Sequence, residues 1–235
     1  MTGALLCLES SGNLCSVALS GFDRETYLQS EPGQKHTEVI LGMIRSGLAA
    51  SGGSRERLKG IAFGSGPGAF TGLRVACGLA QGLGWALNLP LIPVNTLLAL
   101  AYVHHETLEE GARLLAAIDA RMHECYCAVF RYENKEFKEV TAPALCKPSE
   151  LLAIADDNGA DFLCGNAFRI YADEIGNHAP KKLLSTADVN AQMIVPLAQK
   201  YFEENKTVDA AEASPLYVRD HVALTIEERK AEKSR

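Results

Sequence analysis

The chain has 235 residues, of which 47% are hydrophobic and 22% charged, and its formal net charge at pH 7 is −6. This length and apolar content suit one large or two small domains with a sizeable core. Lysine and arginine form no cluster before the final tail, which argues against a protein that holds nucleic acid unaided. No apolar run reaches membrane-spanning length and the first residues lack a basic leader region, so we expect a soluble, unprocessed, cytoplasmic protein.

The seven cysteines are odd in number, lie mostly in apolar segments and are never spaced C-x-x-C. This pattern fits buried, reduced thiols in the cytosol. Cys125 and Cys127 share one face of a predicted strand. Because no histidine follows at metal-ligand spacing, we interpret both as core residues.

The first half of the chain predicts a β-β-β-α-β-α-β-α order. Short apolar runs place strands at 4–9, 14–20 and 25–30, with turn-forming residues at 10–13. An apolar stripe predicts a helix over 35–50, which two glycines end. Further strands follow from residue 61 and over 91–94, and further helices over 70–88 and 96–104.

The second half repeats this order, which we interpret as a structural duplication. Placing Glu9 on Asp119 puts Cys15 on Cys125, so each half carries an acid at the end of its first strand. The repeat predicts strands over 114–119, 124–132, 136–141 and 162–164, and helices over 148–155 and 167–174. A last amphipathic helix over 189–205, an extended piece over 215–218 and a mobile tail from residue 225 complete the chain.

Residues 60–90 form a strand, a Gly/Pro turn and a long helix, the stretch around which the chain is organised. The helix is apolar apart from one narrow polar stripe that includes Arg74, and such a helix needs cover on nearly every side. Gly78, Gly82 and Ala86 recur four residues apart and form a seam that lets another helix approach closely. The sequence leaves two interpretations open, a central core helix and a surface that meets a partner protein.

The turn at 64–69 matches the G-x-G-x-x-G/A pattern that binds dinucleotides between a strand and a helix. The next strand continues into Pro93, Val94, Asn95 and Thr96, which offer no carboxylate for a ribose. No lysine follows the glycines, as a phosphate loop requires. An NAD-dependent oxidoreductase is therefore weakly supported.

The resemblance to a known family rests on five segments, LCLESSGNLCSVAL, KHTEVILGMI, GSGPGAFTGLRVACGLAQGLGWAL, AAIDARMHECYCAVF and PLYVRD. They are similar to the TsaB family, also called YeaZ, whose members are non-catalytic partners in bacterial tRNA threonylcarbamoyladenosine synthesis. The resemblance implies the α/β fold of the actin, hexokinase and Hsp70 ATPase superfamily, with two ribonuclease-H-like lobes, each a mixed sheet flanked by helices. We expect one lobe at 1–104, which carries the partner-binding helices, and the other at 105–235.

Family membership implies binding to a catalytic paralogue, TsaD, with the ATPase TsaE joining the complex, to form N6-threonylcarbamoyladenosine next to the tRNA anticodon. The chain would then meet tRNA through that complex alone and would not bind a membrane. We expect the helices over 35–50 and 70–88 to form the face for TsaD, and the same face to form a homodimer when TsaD is absent. The interface residues that we assign are Val39, Met43, Arg74, Gly78, Gly82 and Ala86.

TsaD resembles this chain over 90–95 and continues there with a His-x-x-x-His pair that binds the active-site metal. Thr96 and Leu100 occupy those two positions here, and neither replaces an imidazole ligand. Adjacent His104 and His105 diverge on a helix, so we interpret them as surface residues. We therefore expect no metal and no catalysis and, although related sequences carry the label glycoprotease, no peptidase activity.

The nucleotide site of the superfamily is only partly recognisable. Glu9, Ser10 and Ser11 form a turn that can contact a phosphate. The corresponding turn of the second half, at 119–122, has larger side chains where glycine is expected. Arg121 in that turn could neutralise one of the two acids. These residues support an alternative function, a stand-alone small-molecule kinase or ATPase, which ATP turnover by the purified protein would reveal. We expect no cofactor on the isolated protein and leave open whether ATP or ADP binds at the interface with TsaD.

Overall fold

A computed structural model of the chain describes residues 3–219. The first part contains β1 Leu5–Glu9, β2 Ser16–Ser20, β3 Thr26–Gln29, α1 His36–Ala50, β4 Gly60–Gly66, α2 Phe70–Leu87, β5 Leu91–Asn95 and α3 Thr96–Tyr102. The second part contains β6 Arg113–Asp119, β7 Cys125–Glu133, β8 Glu136–Glu139, β9 Ala144–Cys146, α4 Leu151–Asp157, β10 Phe162–Cys164, α5 Ala167–Ile170, α6 Ala172–Ile175, β11 Lys182–Ser185 and α7 Ala191–Glu203. Within residues 3–219, no helix has the length and apolar character that crossing a bilayer requires.

The strands of the described residues form two sheets with the same plan. The first sheet has the order β3-β2-β1-β4-β5, in which β1 is antiparallel to β2 and parallel to β4. The second has the order β8-β7-β6-β10-β11, in which β6 is antiparallel to β7 and parallel to β10. The short strand β9 adds to β7. This repeated topology confirms the predicted fold class, α/β with two ribonuclease-H-like lobes.

The match between the two halves is shifted by one residue in the second strand. Glu9 pairs with Ser16 across β1 and β2, and Asp119 pairs with Cys125 across β6 and β7. The counterpart of Cys125 is therefore Ser16, and the predicted match with Cys15 is wrong. The connection is one residue longer in the first half, so a comparison at fixed spacing misses the shift. Since neighbouring residues of a strand face opposite sides, the shift changes which side chains are equivalent.

Alternating apolar residues cover both faces of the first sheet. Leu6 and Leu8 belong to the core under α1 and α2, while Leu5 and Cys7 belong to the core under α3 and α7. This period of two is the pattern of a strand buried on both sides. In the second lobe, α4 to α6 cover one face of the sheet and α3 covers the other, so α3 lies between the sheets. The outer layer of the first lobe is thus α1 and α2.

The end of the described chain packs on the first lobe. The apolar face of α7 fills the inner face of the first sheet. Val208 then pairs with Leu91, and the Leu216 N–H donates a hydrogen bond to the Ser65 carbonyl oxygen at 2.7 Å. The assignment of all of 105–235 to the second lobe therefore needs correction, because α7 and the segment after it complete the first lobe. The division near residue 104 stays a prediction.

Three features of the second lobe differ from the sequence-based prediction. The strands β9 and β11 were not predicted, and the helix predicted over 167–174 is two short helices, α5 and α6, that meet at Tyr171 with φ −114° and ψ 30°. The mobile tail predicted from residue 225 lies outside the described residues.

The start of α2 presses against the turn after β1. A Cβ atom at Gly72 would lie 1.8 Å from the carbonyl oxygen of Ser10, so a side chain does not fit there. At Gly78 of the same helix, apart from its chain neighbours and the helix's own backbone, no atom of residues 3–219 would lie within 4 Å of a Cβ. The helix thus contains one glycine that a tertiary contact requires and one that faces open space.

We expect Gly72→Ala to lower the free energy of unfolding by about 3 kcal/mol or more, because the helix must move away from the Ser10 carbonyl. Gly78→Ala is the matched control and should raise the free energy of unfolding by roughly 0.5–1 kcal/mol, because alanine favours the helix and meets no neighbour. Urea unfolding followed by circular dichroism measures both values. Similar effects of the two substitutions would contradict the described contact.

Candidate functional site

Glu9, at the end of β1, is fully buried. Its Oε1 accepts a hydrogen bond from the backbone N–H of Ser11, while its Oε2 has no hydrogen-bond partner among residues 3–219. Burial raises the pKa of this carboxyl group, and the hydrogen bonds at Ser11 offset that shift in part. Glu9 is therefore a buried acid whose ionised form is disfavoured.

The glycine-rich stretch over 64–72 covers the turn after β1. The Ser10 hydroxyl donates to the Gly72 carbonyl oxygen at 2.7 Å, and the Ala69 N–H donates to the Ser11 carbonyl oxygen at 2.9 Å. Glycines make this approach possible, because a Cβ at residue 64 would lie 1.8 Å from Oε2 of Glu9 and one at residue 68 would lie 2.5 Å from Cβ of Ser11. The three residues predicted to contact a nucleotide, Glu9, Ser10 and Ser11, are thus buried under the chain itself.

A small cavity remains beside this turn, between the lobes. Its volume is about 30 Å³, and its lining includes Ser11, Asn13, Asp119, Arg121 and Asn166. That space suits about one water molecule, whereas small-molecule sites span roughly 300–1,000 Å³. The cavity is polar and too small for a nucleotide.

Asp119, the counterpart of Glu9, holds its own turn together. Its Oδ1 accepts hydrogen bonds from the Arg121 N–H at 2.9 Å and from the Tyr171 hydroxyl at 2.7 Å. The Arg121 guanidinium lies 3.4 Å from Oδ2, so the predicted neutralisation of an acid by Arg121 is present. Burial, with the Asp119 carboxylate beside the hydroxyl, raises the pKa of Tyr171. The carboxylate thus has structural partners on both oxygens, as a turn-capping acid does.

The turn between β6 and β7 has an unusual backbone. Arg121, Met122 and His123 have φ values of 63°, 55° and 55°, the left-handed region that costs a residue other than glycine about 1 kcal/mol. Met122 at the tip is 78% exposed. The Arg121 side chain donates to Asn13 of the first lobe, and Arg219 donates to the carbonyl oxygen of residue 120 at 3.2 Å. These contacts tie the strained turn to the first lobe and to the end of the described chain.

The positions compared with the metal-binding histidines of TsaD are packed in the core. The Thr96 hydroxyl donates to the Pro67 carbonyl oxygen, and Leu100 lies in the apolar cluster between α3 and the second sheet. The prediction that His104 and His105 are surface residues needs correction, because both are half-buried. His105 stacks on the ring of residue 102, while burial lowers the pKa of His104. Within the described part of the chain, no three His, Cys, Asp or Glu side chains are arranged so that they could hold a metal ion together.

The outer surface of α2 is open. Gly78, Gly82 and Ala86 are all exposed, and beyond the helix's own backbone no atom of residues 3–219 would contact a Cβ at either glycine. The expectation that this helix is covered on nearly every side is therefore wrong for the described chain, in which one face is buried and the other is not. Trp85, the single tryptophan of the chain, lies on the same face and is 78% exposed. Its spacing of three and seven residues from the glycines is the signal that sequence reasoning missed.

The remaining residues assigned to the interface flank this surface. The Arg74 guanidinium lies 3.8 Å from the ring centre of Phe70, and its Nε donates to the Tyr217 hydroxyl at 3.1 Å. Tyr217 comes from the end of the described chain and was not assigned to the interface. On α1, Val39 and Met43 are only partly exposed, because they also pack against the core of the first lobe. The assigned residues thus lie on the neighbouring helices α1 and α2. Gly78, Gly82 and Ala86 are exposed to solvent, whereas Val39 and Met43 are partly buried.

Known proteins resemble this chain over nearly its whole length. The family model described as "TsaD: tRNA N6-adenosine threonylcarbamoyltransferase" matches residues 30–226. The "tRNA threonylcarbamoyladenosine biosynthesis protein TsaB" of Haemophilus influenzae is 34% identical over 229 residues, which cover 93% of this chain and 94% of that protein. The protein of the same name from Escherichia coli is 34% identical over 226 residues, which cover 93% and 96%.

A solved structure agrees with these relatives. The structure described as "YeaZ from Pseudomonas aeruginosa" is 33% identical to this chain and superposes with a TM-score of 0.77. The superposition covers 92% of this chain and 99% of the other. The likeness therefore includes both lobes.

The buried Glu9 carboxyl group should make stability depend on pH. Its pKa is raised in the folded protein, so above about pH 4.3 the unfolded chain loses this proton first and stability falls as pH rises toward the folded pKa. Glu9→Gln removes this loss. We therefore expect the free energy of unfolding of the variant, relative to the natural protein, to improve from pH 4 to pH 8 in urea titrations.

Glu133→Gln is a control of opposite sign. The hydrogen bond from Lys138 lowers the pKa of Glu133, so this carboxylate stabilises the fold above about pH 4.3 and that contribution is lost as pH falls. The Glu133→Gln variant should therefore lose stability relative to the natural protein over the same rise in pH. A pH-independent difference for Glu9→Gln would contradict the raised pKa of the buried Glu9 carboxyl group.

Proposed function

Because this chain belongs to the TsaB family of tRNA threonylcarbamoyladenosine biosynthesis proteins, we propose that it is a non-catalytic subunit that binds and supports a TsaD protein. TsaD carries out the transfer, and TsaE joins the complex. The observation that carries the proposal is the open seam of Gly78, Gly82 and Ala86 on the outer face of α2. A helix of TsaD is the occupant that we assign to it.

The seam has the shape that helix packing needs. Small residues four positions apart leave a groove along the helix, into which the side chains of a second helix fit. The glycines weaken α2 by roughly 1 kcal/mol each relative to alanine, and the described chain places nothing against Gly78 or Gly82 in return. An intermolecular contact explains why the sequence carries this cost. Trp85 and Arg74 flank the seam and supply the aromatic and arginine contacts that interfaces favour.

The covered turn after β1 supports the non-catalytic part of the proposal. A kinase or ATPase must bring its nucleotide phosphates to the turn after the first strand, and here residues 64–72 cover that turn. Thr96 and Leu100 are buried, and neither side chain has an imidazole that could bind a metal ion. The stand-alone kinase or ATPase is therefore the weaker candidate.

The wider assembly follows from the same proposal. The chain meets tRNA through the TsaD complex alone, which agrees with its net charge of −6. Any ATP or ADP binds at the interface with TsaD and not to the isolated chain, because the turn of Glu9 is closed. We expect the protein to act in the cytoplasm, where tRNA modification takes place.

We expect Gly82→Arg to abolish co-purification with TsaD. The exposed site has room for the arginine in the isolated protein, where it also favours the helix over glycine by roughly 0.8 kcal/mol, but it fills the groove that a partner helix needs. The measurement is pull-down of purified TsaD by the tagged chain, with circular dichroism of each variant.

Gly82→Ala is the matched control, since a methyl group fits the same open site. It should retain binding or weaken it only slightly. If Gly82→Arg binds TsaD normally, the seam is not the interface. If it unfolds the protein, the description of Gly82 as exposed is wrong.

We further propose that α1 and α2 form a homodimer when TsaD is absent and that TsaD replaces the second copy. A two-fold axis lets one exposed patch meet itself, and a paralogue of the same fold presents a matching patch. Arg74→Glu places an acid beside the seam in both assemblies, so it should raise both dissociation constants about tenfold or more. Analytical ultracentrifugation of the chain alone and with TsaD measures them.

Arg24→Glu makes the same charge change at the exposed β2–β3 turn and should leave both assemblies intact. If Arg74→Glu disrupts one assembly and spares the other, two separate surfaces are in use. The same conclusion follows if the complex with TsaD retains the homodimer contact.

A further inference from the structure

Three cysteines meet where β9 lies beside β7. Cys125 is directly opposite Cys146 in the antiparallel register, and Cys127 is two residues further along β7. Residues two apart on a strand face the same side, so all three side chains lie on the face of the sheet under α4 to α6. The Cys146 thiol donates a hydrogen bond to Cys127 Sγ, with the two sulfurs 3.5 Å apart.

We propose that Cys127 and Cys146 are an oxidation site, which a peroxide converts into an intramolecular disulfide. The sulfurs must approach by about 1.5 Å to reach a bond length of about 2.05 Å. The three-residue strand β9 pairs within the described chain with β7 alone, so it can shift by this amount without breaking a second ladder. Cys127 is buried and Cys146 is partly exposed, so a small oxidant must reach the pair from the side of Cys146.

The protonation of the pair suits this chemistry. The hydrogen bond from Cys146 lowers the pKa of Cys127, while the same bond and burial raise the pKa of Cys146. The hydrogen bond thus favours ionisation of Cys127 over ionisation of Cys146, and the ionised thiol is the nucleophile toward peroxide.

The reaction proceeds in two balanced steps. The Cys127 thiolate attacks one peroxide oxygen, the O–O bond breaks, and a sulfenic acid forms while hydroxide leaves and takes up the proton that Cys127 released, giving water. The Cys146 sulfur then attacks the Cys127 sulfur, the S–O bond breaks, and the Cys146 proton leaves with the hydroxyl group as a second water. The two thiols lose two electrons in total, and the peroxide gains them.

The other cysteines lack this arrangement. Cys7 and Cys164 are fully buried in different parts of the core, and burial raises the pKa of both thiols. Burial also raises the pKa of Cys125, to about 12, although it lies beside the pair. Burial raises the pKa of Cys15 and Cys77 as well, so a peroxide should select Cys127 and Cys146 among the thiols of the chain.

The bond would hold β9 on β7. The strand β7 begins at the strained turn over 121–123 that contacts the first lobe, and β9 leads into the segment before α4. Closing the loop between residues 127 and 146 reduces the freedom of the unfolded chain, so oxidation should raise the melting temperature reversibly. Oxidation thus stiffens the part of the second lobe that supports the interlobe turn.

The test uses the reduced full-length protein treated with a small molar excess of hydrogen peroxide. Remaining thiols are alkylated, and the protein is cut after glutamate, which separates peptides 125–133 and 140–150. We expect these two peptides to be joined, with fragmentation placing the bond at Cys127. The melting temperature should rise by several degrees and return to its starting value after reduction.

Cys125→Ala is the matched control, since it removes a thiol on the same strand face and leaves the pair intact. It should retain the link, whereas Cys127→Ala should lose both the link and the rise in melting temperature. Because fragmentation of the natural protein locates the bond directly, the result stands even if a variant folds poorly. An absent link, a bond at Cys125, or a link between two chains would overturn the proposal.

Discussion

The contact between the turn after β1 and the start of α2 is the constraint on which the rest of the first lobe depends. The absence of a side chain at Gly72 lets the helix reach the Ser10 carbonyl, and Gly64 leaves room for the Glu9 carboxyl group. Two opposite properties follow from this one contact. The start of α2 packs tightly against the turn after β1, and the far side of the helix faces away from the molecule.

This arrangement separates two uses of glycine within a single helix. Gly72 is required by an internal contact, whereas Gly78 and Gly82 have open space beside them. The glycine-rich stretch over 64–72 packs directly against the turn after β1. The G-x-G-x-x-G/A pattern of residues 64–69 therefore reflects close backbone packing. A dinucleotide-binding turn needs glycines for the same reason.

Much of the fold could be predicted from the sequence, because apolar periodicity is strong in the first sheet and in α1, α2 and α7. The predicted strand at 162–164 agrees with β10 to the residue. The strand β11 was missed because it is four residues long and its residues are only partly buried, so it carries little periodic signal. The single helix predicted over 167–174 breaks at Tyr171, whose hydroxyl bonds to Asp119 in another element. Such long-range contacts leave no local pattern.

For the candidate site, too, local sequence patterns could be recognised, whereas contacts between distant segments could not. The spacing of Gly78, Gly82 and Ala86 indicated a seam, but only the packing decided that it faces outward. Glu9 was a reasonable candidate for phosphate contact, since sequence cannot reveal that residues 64–72 lie over it. The left-handed turn over 121–123 was also unforeseeable, because it contains no glycine or asparagine to mark it.

The placement of α7 has a consequence for how the protein is made. Leu5 and Cys7, on the inner face of the first sheet, leave the ribosome roughly 185 residues before α7, which covers that face. At about 5–20 residues per second, that apolar face waits on the order of 10 s for its cover. A nascent chain is therefore a substrate for chaperones until α7 emerges, and a chain cut short before α7 keeps the exposed core that proteases recognise. The first lobe, and with it the outer surface of α2, can therefore reach its folded form only after α7 has been synthesised.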